Sequence, residues 1–259
     1  MTTRKAKRAA GGLAVLLALA TGASACGGGG GSTETGAGAK PAIDVGDGGH
    51  YKPGVTAADF VTGVDNPYMP LQPGAVWEYV GKSGGTTEHN RVAVTDKQRT
   101  VMGVPVVVVR DTVRVDGKIT EDTYDWFAQD KAGNVWYMGE DTKEYDEGKV
   151  STKGSWEAGV GGALPGIVMP AHPEAGHAYR QEYLKGEAED MAQITGVDQS
   201  LSVGSKAYSK VVATKEWTPL EPKVVETKMY APGVGVVAEG TLRGAKETSQ
   251  LVSYTPGSA

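Results

Sequence analysis

The chain has 259 residues and a net charge of −5, and its only run of basic residues lies within the first eight positions. Without Arg4, Lys5, Lys7 and Arg8, 22 basic residues remain against 31 acidic ones, a net charge of −9. An acidic chain of this kind argues against binding of nucleic acid and against docking on anionic lipid through charge alone. Cys26 is the only cysteine, which excludes an intramolecular disulfide framework.

The first 25 residues have the order of a secretory signal peptide. Basic residues are followed by an apolar run from Ala9 to Ala20, and the small residues Ala23, Ser24 and Ala25 then precede the cysteine. The apolar run has roughly a dozen residues, whereas a membrane-crossing helix needs about 20. Residues 1–25 are therefore predicted to be a cleaved signal rather than a stable membrane span.

The cleavage region also predicts a membrane anchor. The segment Ala-Ser-Ala-Cys resembles the lipobox of bacterial lipoproteins, which implies that Cys26 is diacylated, with palmitate as an expected acyl group. The protein would then be held by lipid on the extracytoplasmic face of the cell membrane. The alternative is an ordinary signal-peptidase cut nearby that leaves Cys26 as a free thiol.

Residues 26–50 are predicted to form a flexible tether. They consist mostly of Gly, Ser, Thr and Ala, which cannot bury enough apolar surface to offset the entropy of ordering the chain. The glycine run lacks the Gly-Lys-Ser/Thr ending of a phosphate-binding loop. Residues 51–259 are long enough for a single domain with one sizeable core.

The domain shows alternating apolar and polar residues rich in β-branched and aromatic side chains, which predicts strands. The first group of predicted strands is Val76–Val80, Arg91–Thr95, Val104–Val115, Lys118–Ala128 and Asn134–Met138. The second group is Ala178–Leu184, Lys206–Trp217, Val224–Tyr230, Gly235–Leu242 and Glu247–Tyr254. An irregular Gly- and Pro-rich connection is expected from Glu147 to His177, and a short helical turn near Ala57–Val61.

These elements predict an all-β fold built on a large curved antiparallel meander sheet with few short helices. Because few helices could cover its apolar face, the sheet must form a half-barrel, a barrel or a sandwich. A curved sheet offers a concave face for a small or apolar ligand, although this inference rests on analogy between folds.

Two segments carry a family resemblance. Asp65–Tyr79 reads DNPYMPLQPGAVWEY, and a later hairpin combines YDWFAQD at Tyr124–Asp130 with GNVWY at Gly133–Tyr137. Both resemble segments of an uncharacterised family of bacterial extracytoplasmic lipoproteins with the pattern DNPYxPLxPGxxWxY. The resemblance implies an all-β, envelope-facing domain of no settled activity, and it supplies no catalytic residues.

The first segment has two interpretations. Its prolines restrict φ and remove hydrogen-bond donors, so it can serve as an extended plug that leads into the first long strand. Trp77 and Tyr79 alternate on that strand and share one face. Together with Trp126 and Trp136, they could instead form an aromatic platform for a ligand.

A weak metal site is a second hypothesis. Glu187, Glu189 and Asp190 offer the oxygen ligands that calcium prefers. His172 and His177 lie five residues apart in one loop, where both rings could reach a zinc ion if carboxylates supplied the other ligands. The alternative is that all five are ordinary surface residues.

Two further acidic segments are expected to be structural. Glu140, Asp141, Glu144 and Asp146 resemble the charged, solvated edge of a sheet, with a calcium site as the alternative. The segment 130–134, DKAGN, is expected to be a hairpin turn, because Ala132 occupies the position where a calcium loop needs an oxygen ligand.

The sequence contains neither a Gly-x-Ser-x-Gly elbow nor a His-Glu-x-x-His helix. The leading hypothesis is therefore a non-catalytic, membrane-anchored lipoprotein that binds a small or apolar ligand or an envelope partner, without a cofactor. The alternative is a secreted hydrolase that uses Asp125 and Glu182, or His172 and His177, or else a protein that binds divalent cations weakly.

Overall fold

The computed structural model describes residues 51–244 and 246–258. The predicted signal peptide 1–25 and the predicted tether 26–50, Cys26 included, lie outside the described residues. The described part is nearly all strand, which confirms the all-β prediction. A single 3-10 turn at Ala57–Asp59 is its only helical element.

Seventeen strands form one antiparallel sheet in the described part of the chain. The first nine are β1 (Phe60–Val61), β2 (Val76–Ser83), β3 (Thr86–Val94), β4 (Arg99–Val101), β5 (Val104–Val115), β6 (Lys118–Asp130), β7 (Val135–Asp146), β8 (Lys149–Ser151) and β9 (Trp156–Glu157). The others are β10 (Leu164–Met169), β11 (Ala178–Arg180), β12 (Glu182–Tyr183), β13 (Met191–Val203), β14 (Lys206–Trp217), β15 (Val225–Ala231), β16 (Gly235–Arg243) and β17 (Glu247–Thr255).

The sheet curls until it nearly closes into a barrel. Most neighbours in sequence are neighbours in the sheet, as a meander requires, and β17 pairs along its length with β2. On the other side β7 pairs with β10, and β10 pairs with β12 through only two residue pairs, Leu164 with Tyr183 and Pro165 with Glu182. Of the three architectures left open by the sequence, the structure is therefore nearest to the barrel.

Tyr51 and Arg180 lie where the ring of strands is joined by these short pairings. The Tyr51 hydroxyl donates to the carbonyl oxygen of Pro165 at 2.8 Å. The Arg180 guanidinium lies 5.6 Å from the ring of Tyr51 and 5.0 Å from that of Tyr183. The first described residue therefore packs directly against the join between β10 and β12.

The DNPY motif contacts the β6–β7 hairpin, so the two segments of the family resemblance lie together. Gln129 Oε1 accepts hydrogen bonds from the backbone amides of Asp65 and Asn66 at 3.0 and 2.9 Å. Asn66 Nδ2 donates to the carbonyl oxygen of Gly133 at 2.9 Å. These contacts fix the motif against the hairpin.

The hairpin turn predicted at 130–134 is present. Asp130 Oδ1 accepts from the backbone amides of Ala132 and Asn134, both at 2.9 Å. Asp130 Oδ2 accepts from the side chains of Asn134 and Trp136, both at 2.8 Å. The Asp130 carboxylate therefore accepts four hydrogen bonds from its own hairpin.

Several strands form where irregular structure or no element was predicted, and β10 and β13 are the longest of them. β10 contains Pro165 and Gly166, and a Cβ at Gly166 would overlap the main chain of Gln181 and lie 2.6 Å from the carbonyl oxygen of Arg180. The glycine therefore permits a close strand contact rather than a loop. β13 contains Gly196 and Asp198, and its pairing with β14 shifts register three times. The bulges accommodate residues in this strand that are typical of a loop.

Apolar side chains from most of the strands form one hydrophobic core cluster. Trp77, Tyr79 and Val92 lie on adjacent strands and are each at most 5% exposed. Phe127 and Tyr137 stack with ring centroids 5.1 Å apart. Within the described residues, no helix has the length and apolar character needed to cross a membrane.

Candidate functional site

The interior of the barrel contains many carboxyl groups. Eight belong to one electrostatically coupled set, here called the acid cluster: Asp111, Glu121, Asp125, Glu140, Glu182, Asp190, Glu216 and Glu226. All are buried except Asp190, which is partly buried. Only two cations, Arg180 and Lys228, are buried among the described residues. The acid cluster is therefore the most unusual feature of the fold, since carboxylates are seldom buried without partners.

Strand register explains how these acids reach the interior. Asp125 lies opposite Glu140 in the β6–β7 pair, and Thr123 lies opposite Thr142, with their hydroxyl oxygens 2.7 Å apart. Since alternate residues of a strand share a face, Glu121, Thr123 and Asp125 all face inwards. The β7–β9 pairing places Trp156 opposite Glu140 and thus on the same side.

Asp125, Glu140 and Glu182 form the centre of the acid cluster and are here called the carboxyl trio. The Tyr137 hydroxyl donates to Asp125 Oδ1 at 2.7 Å, and Trp156 Nε1 donates to Glu182 Oε2 at 3.0 Å. The two aromatic rings meet edge to face with centroids 5.3 Å apart. Two carboxyls of the trio are therefore oriented by aromatic side chains that pack against each other.

Glu140 differs from its neighbours because neither of its carboxyl oxygens has a hydrogen-bond partner, although the residue is only 1% exposed. Burial raises the pKa of Glu140 well above its usual range, and the nearby Glu182 and Asp125 raise it further. An unsatisfied buried polar group costs roughly 1–3 kcal/mol, and a charged one costs more. Burial and the acidic neighbours therefore favour the neutral form of Glu140, which could donate a hydrogen bond or, once ionised, attract a cation.

Burial likewise raises the pKa of Asp125 and of Glu182 well above their usual range. Neighbouring Asp111 adds to the effect at Asp125, and Asp190 adds to it at Glu182. The ammonium group of Lys228 acts in the opposite direction on both carboxyls. Because Lys228 is on β15, far from β6 around the ring, its influence indicates that both side chains point into the barrel.

Lys228 is a buried cation that faces the acid cluster. Its Nζ lies 2.9 Å from Glu216 Oε2, and Glu216 Oε1 accepts from the Thr214 hydroxyl at 2.8 Å. Burial alone would lower the pKa of Lys228, but Glu216, Glu239 and Glu226 raise it above its usual value. The acidic interior therefore stabilises an ammonium group that burial would otherwise discharge.

The residues predicted as metal ligands are not brought together. His172 is exposed in the loop after β10, whereas the half-buried His177 packs its ring 5.9 Å from that of Tyr179. Glu187 is exposed, and Glu189 accepts the backbone amide of Gly186 at 2.7 Å.

Asp190, the fifth predicted ligand, belongs to the acid cluster, and burial raises its pKa to about 6. Among residues 51–244 and 246–258, no group of three or more His, Cys, Asp or Glu side chains is placed to hold a metal ion. The metal-site hypothesis therefore gains no support from the structure.

The four aromatic residues proposed as a platform are each fixed by contacts of their own. Trp77 stacks on Tyr254 at 5.2 Å, and the Tyr79 hydroxyl donates to the carbonyl oxygen of Val236 at 3.0 Å.

Trp126 lies on the opposite face of β6 from Asp125, with the Arg99 guanidinium 3.6 Å from its ring, and Trp136 donates to Asp130. Trp77 and Tyr79 share the inner face of β2, but Trp126 does not join them.

The structure corrects the prediction for one acidic segment. The run from Glu140 to Asp146 was expected to be a solvated edge, yet Glu140 is 1% exposed while Asp141 is exposed. The reason is that β7 continues through this run and turns alternate residues into the barrel. The alternation of acids with threonines at Glu121, Thr123 and Asp125 was the available signal for an acidic inner face.

Comparisons with known proteins assign no activity to this site. A candidate exported protein of Bacteroides fragilis with a YmcC-like fold is 14% identical, with a TM-score of 0.43, and the match covers 76% of this chain and 100% of that one. A candidate lipoprotein of Parabacteroides distasonis is 12% identical, with a TM-score of 0.41 and coverage of 73% and 99%. No family model and no curated protein matches the chain. At these identities, neither structure transfers a ligand or an activity to this chain.

The acid cluster predicts that the protein becomes less stable as the pH rises. Burial raises the pKa of Glu226 to about 9, whereas the value for an unperturbed glutamate is 4.5. A carboxyl whose pKa is higher in the folded state stabilises the fold fully below its unfolded pKa, and this contribution is lost as pH rises through the folded value. We expect the free energy of unfolding of the mature protein, measured in urea, to fall steadily from pH 5 to pH 9.

In the Glu226→Gln variant, the free energy of unfolding should fall less steeply between pH 6 and pH 8, by about 1 kcal/mol per pH unit. Glu187→Gln, which removes an exposed glutamate, is the matched control and should keep the slope of the unmodified protein. A free energy of unfolding that stays constant or increases from pH 5 to pH 9 would contradict the proposed protonation of the acid cluster.

Proposed function

We propose that this protein is a non-catalytic lipoprotein, anchored through Cys26 on the extracytoplasmic face of the cell membrane, whose β-domain binds a small ligand inside the barrel. The observation that supports this proposal most strongly is Glu140, a fully buried carboxyl without a hydrogen-bond partner at the centre of the acid cluster. We further propose that the chain belongs to the lipoprotein family with the DNPYxPLxPGxxWxY motif. Its envelope location rests on the signal sequence, the lipobox and the tether.

The energetic argument favours a ligand over a purely structural role. Burying polar groups costs free energy unless they are paired, and apolar side chains could have filled the same volume at no such cost. The carboxyl trio instead combines strongly raised pKa values with aromatic neighbours, the combination that binding sites commonly use. The ligand is expected to be polar where it meets the trio and apolar where it meets Phe127.

A hydrolase is the second candidate, because Asp125 and Glu182 both belong to the carboxyl trio, as a two-carboxylate mechanism requires. The other hydrolase variant, which relies on His172 and His177, has no comparable support, since His172 is exposed in a loop. We place binding first because Asp125 and Glu182 are fully enclosed and each already accepts a hydrogen bond from an aromatic side chain.

The anchor has a direct test in the mass of the protein recovered from membranes. We expect the mature chain to begin at Cys26 and to exceed its peptide mass by a diacylglyceryl group, because the lipobox directs both modification and cleavage. The Cys26→Ala variant should lack any acyl mass, whereas Ser24→Ala, which keeps a small residue before the cysteine, should retain it. An unmodified chain, or one that begins elsewhere, would disprove the anchor.

The binding proposal is tested by native mass spectrometry of the mature protein taken from its own host. We expect a stoichiometric small molecule that is lost on denaturation. Its occupancy should fall about tenfold in Glu140→Gln, since hydrogen bonds to a charged group contribute roughly 1.5–3 kcal/mol.

The exposed-site variant Glu187→Gln should keep the ligand in full. A single clean mass without adduct, or equal occupancy in both variants, would contradict binding at the carboxyl trio. A released molecule that the protein converts to a product would replace the binding proposal with the hydrolase.

A further inference from the structure

The buried ionisable side chains of the barrel are mostly acids, with few bases among them. Nine aspartate and glutamate residues are buried in the described part of the chain: Asp111, Glu121, Asp125, Glu140, Glu182, Glu216, Glu221, Glu226 and Glu247. Against them stand only Lys228 and Arg180. Lys228 is ion-paired with Glu216, and Arg180 lies beside the rings of Tyr51 and Tyr183.

The structure already shows which kind of cation this interior accepts. The ammonium group of Lys228 is only 4% exposed, yet it lies against Glu216 with Glu226 and Glu239 close by. An ammonium group has three donors, which suits a site where several carboxyl oxygens converge. The interior therefore stabilises an ammonium group at one position.

Aromatic rings next to the carboxyl trio favour the same chemistry. Trp156 meets Tyr137 edge to face at 5.3 Å, and Tyr137 stacks on Phe127 at 5.1 Å. The faces of such rings attract cations by about 0.5–2 kcal/mol, most strongly where water is excluded. Carboxyls beside aromatic walls suit an alkylammonium ion better than a hydrated metal ion, whose ligands would have to be oxygens in regular geometry.

We propose that the carboxyl trio binds a small organic cation, a primary amine or diamine, whose ammonium group contacts Glu140 and lies against the rings of Tyr137 and Trp156. This inference rests on the proposed function and specifies its ligand class. Glu140 is the central contact because both of its oxygens are without partners, whereas Asp125 and Glu182 each already accept one hydrogen bond.

Binding of a cation at this site is coupled to release of protons. The ionisable groups that face Glu140 are Glu182 on β12, Asp125 and Glu121 on β6, and Asp190 before β13, and negative charge on any of them favours the neutral form of Glu140. Lys228 acts on Asp125 and Glu182. An arriving ammonium ion favours the carboxylate, so Glu140 transfers its proton to the solvent as the cation binds.

The experiment is isothermal titration of the detergent-extracted mature protein, freed of endogenous ligand by dialysis, with 1,4-diaminobutane at pH 6 and pH 8. Buffers with different ionisation enthalpies report the number of protons released. We expect saturable binding, release of about one proton, and up to a tenfold tighter Kd per pH unit. The uncharged analogue 1,4-butanediol, of similar length, should not bind.

Variants separate the site from general attraction to an acidic protein. Glu140→Gln should weaken binding of the diamine at least tenfold and abolish proton release, and Glu182→Gln should weaken binding as an independent check. Glu187→Gln should behave as the unmodified protein. If Glu140→Gln does not fold, the proposal is still tested by the unmodified protein, through the number of protons released on diamine binding and the pH dependence of the Kd.

Three results would overturn the inference: no binding of the diamine, binding that does not depend on pH, or equal binding of 1,4-butanediol. If native mass spectrometry nevertheless finds a neutral ligand whose occupancy depends on Glu140, the proposed function stands and only the ligand class is wrong. If neither method finds a ligand, both proposals fail.

Discussion

The desolvation of carboxyl groups inside the barrel is the constraint on which the rest of this structure depends. Curling a meander until β17 pairs with β2 creates an interior that side chains must fill. One part is filled by aromatic and aliphatic groups, and the other by acids that cannot all be ionised at such close range. Burial favours the neutral form of Asp125, Glu140, Glu182 and Glu226, and Lys228 pairs with Glu216.

The same constraint explains the arrangement of the aromatic residues around the carboxyl trio. Tyr137 donates a hydrogen bond to Asp125, and Trp156 donates one to Glu182. The rings of Tyr137 and Trp156 also pack against each other, so these residues supply both hydrogen bonds and apolar contacts. Neither carboxyl oxygen of Glu140 has a hydrogen-bond partner, although Glu140 lies directly across from Asp125. A ligand that forms a hydrogen bond or ion pair with Glu140 would replace an unsatisfied buried group with a favourable contact. The energetics of the fold are in this way linked to the proposed function.

Much of the fold could be predicted from the sequence, because periodicity reports strands wherever one face is apolar. The predicted strands Val104–Val115 and Lys206–Trp217 coincide with β5 and β14. β13 could not be found in this way, because bulges around Gly196 break the alternation that defines a strand. β10 was missed since Gly166 is needed for contact with Gln181, which no local pattern reveals.

The site was less predictable than the fold for a related physical reason. Acidic residues normally mark the solvent face of a strand, so the sequence suggested that Glu140 was exposed. Asp125 and Glu182 were named as a carboxylate pair, but their proximity depends on pairings between strands far apart in the chain. Residues such as Glu216, Glu226 and Lys228 became candidates only once the ring of strands showed which face was inside.

The most direct measurement is a carbon-13 NMR titration of the aspartate and glutamate carboxyl groups of the mature protein between pH 3 and pH 9. Resonances lost in Glu140→Gln and Glu226→Gln identify these two residues. We expect both to remain protonated at pH 7, well above the range in which exposed carboxyls ionise. If every carboxyl resonance instead titrated below pH 5, the interior would be solvated and ionised, and the proposed site would be contradicted.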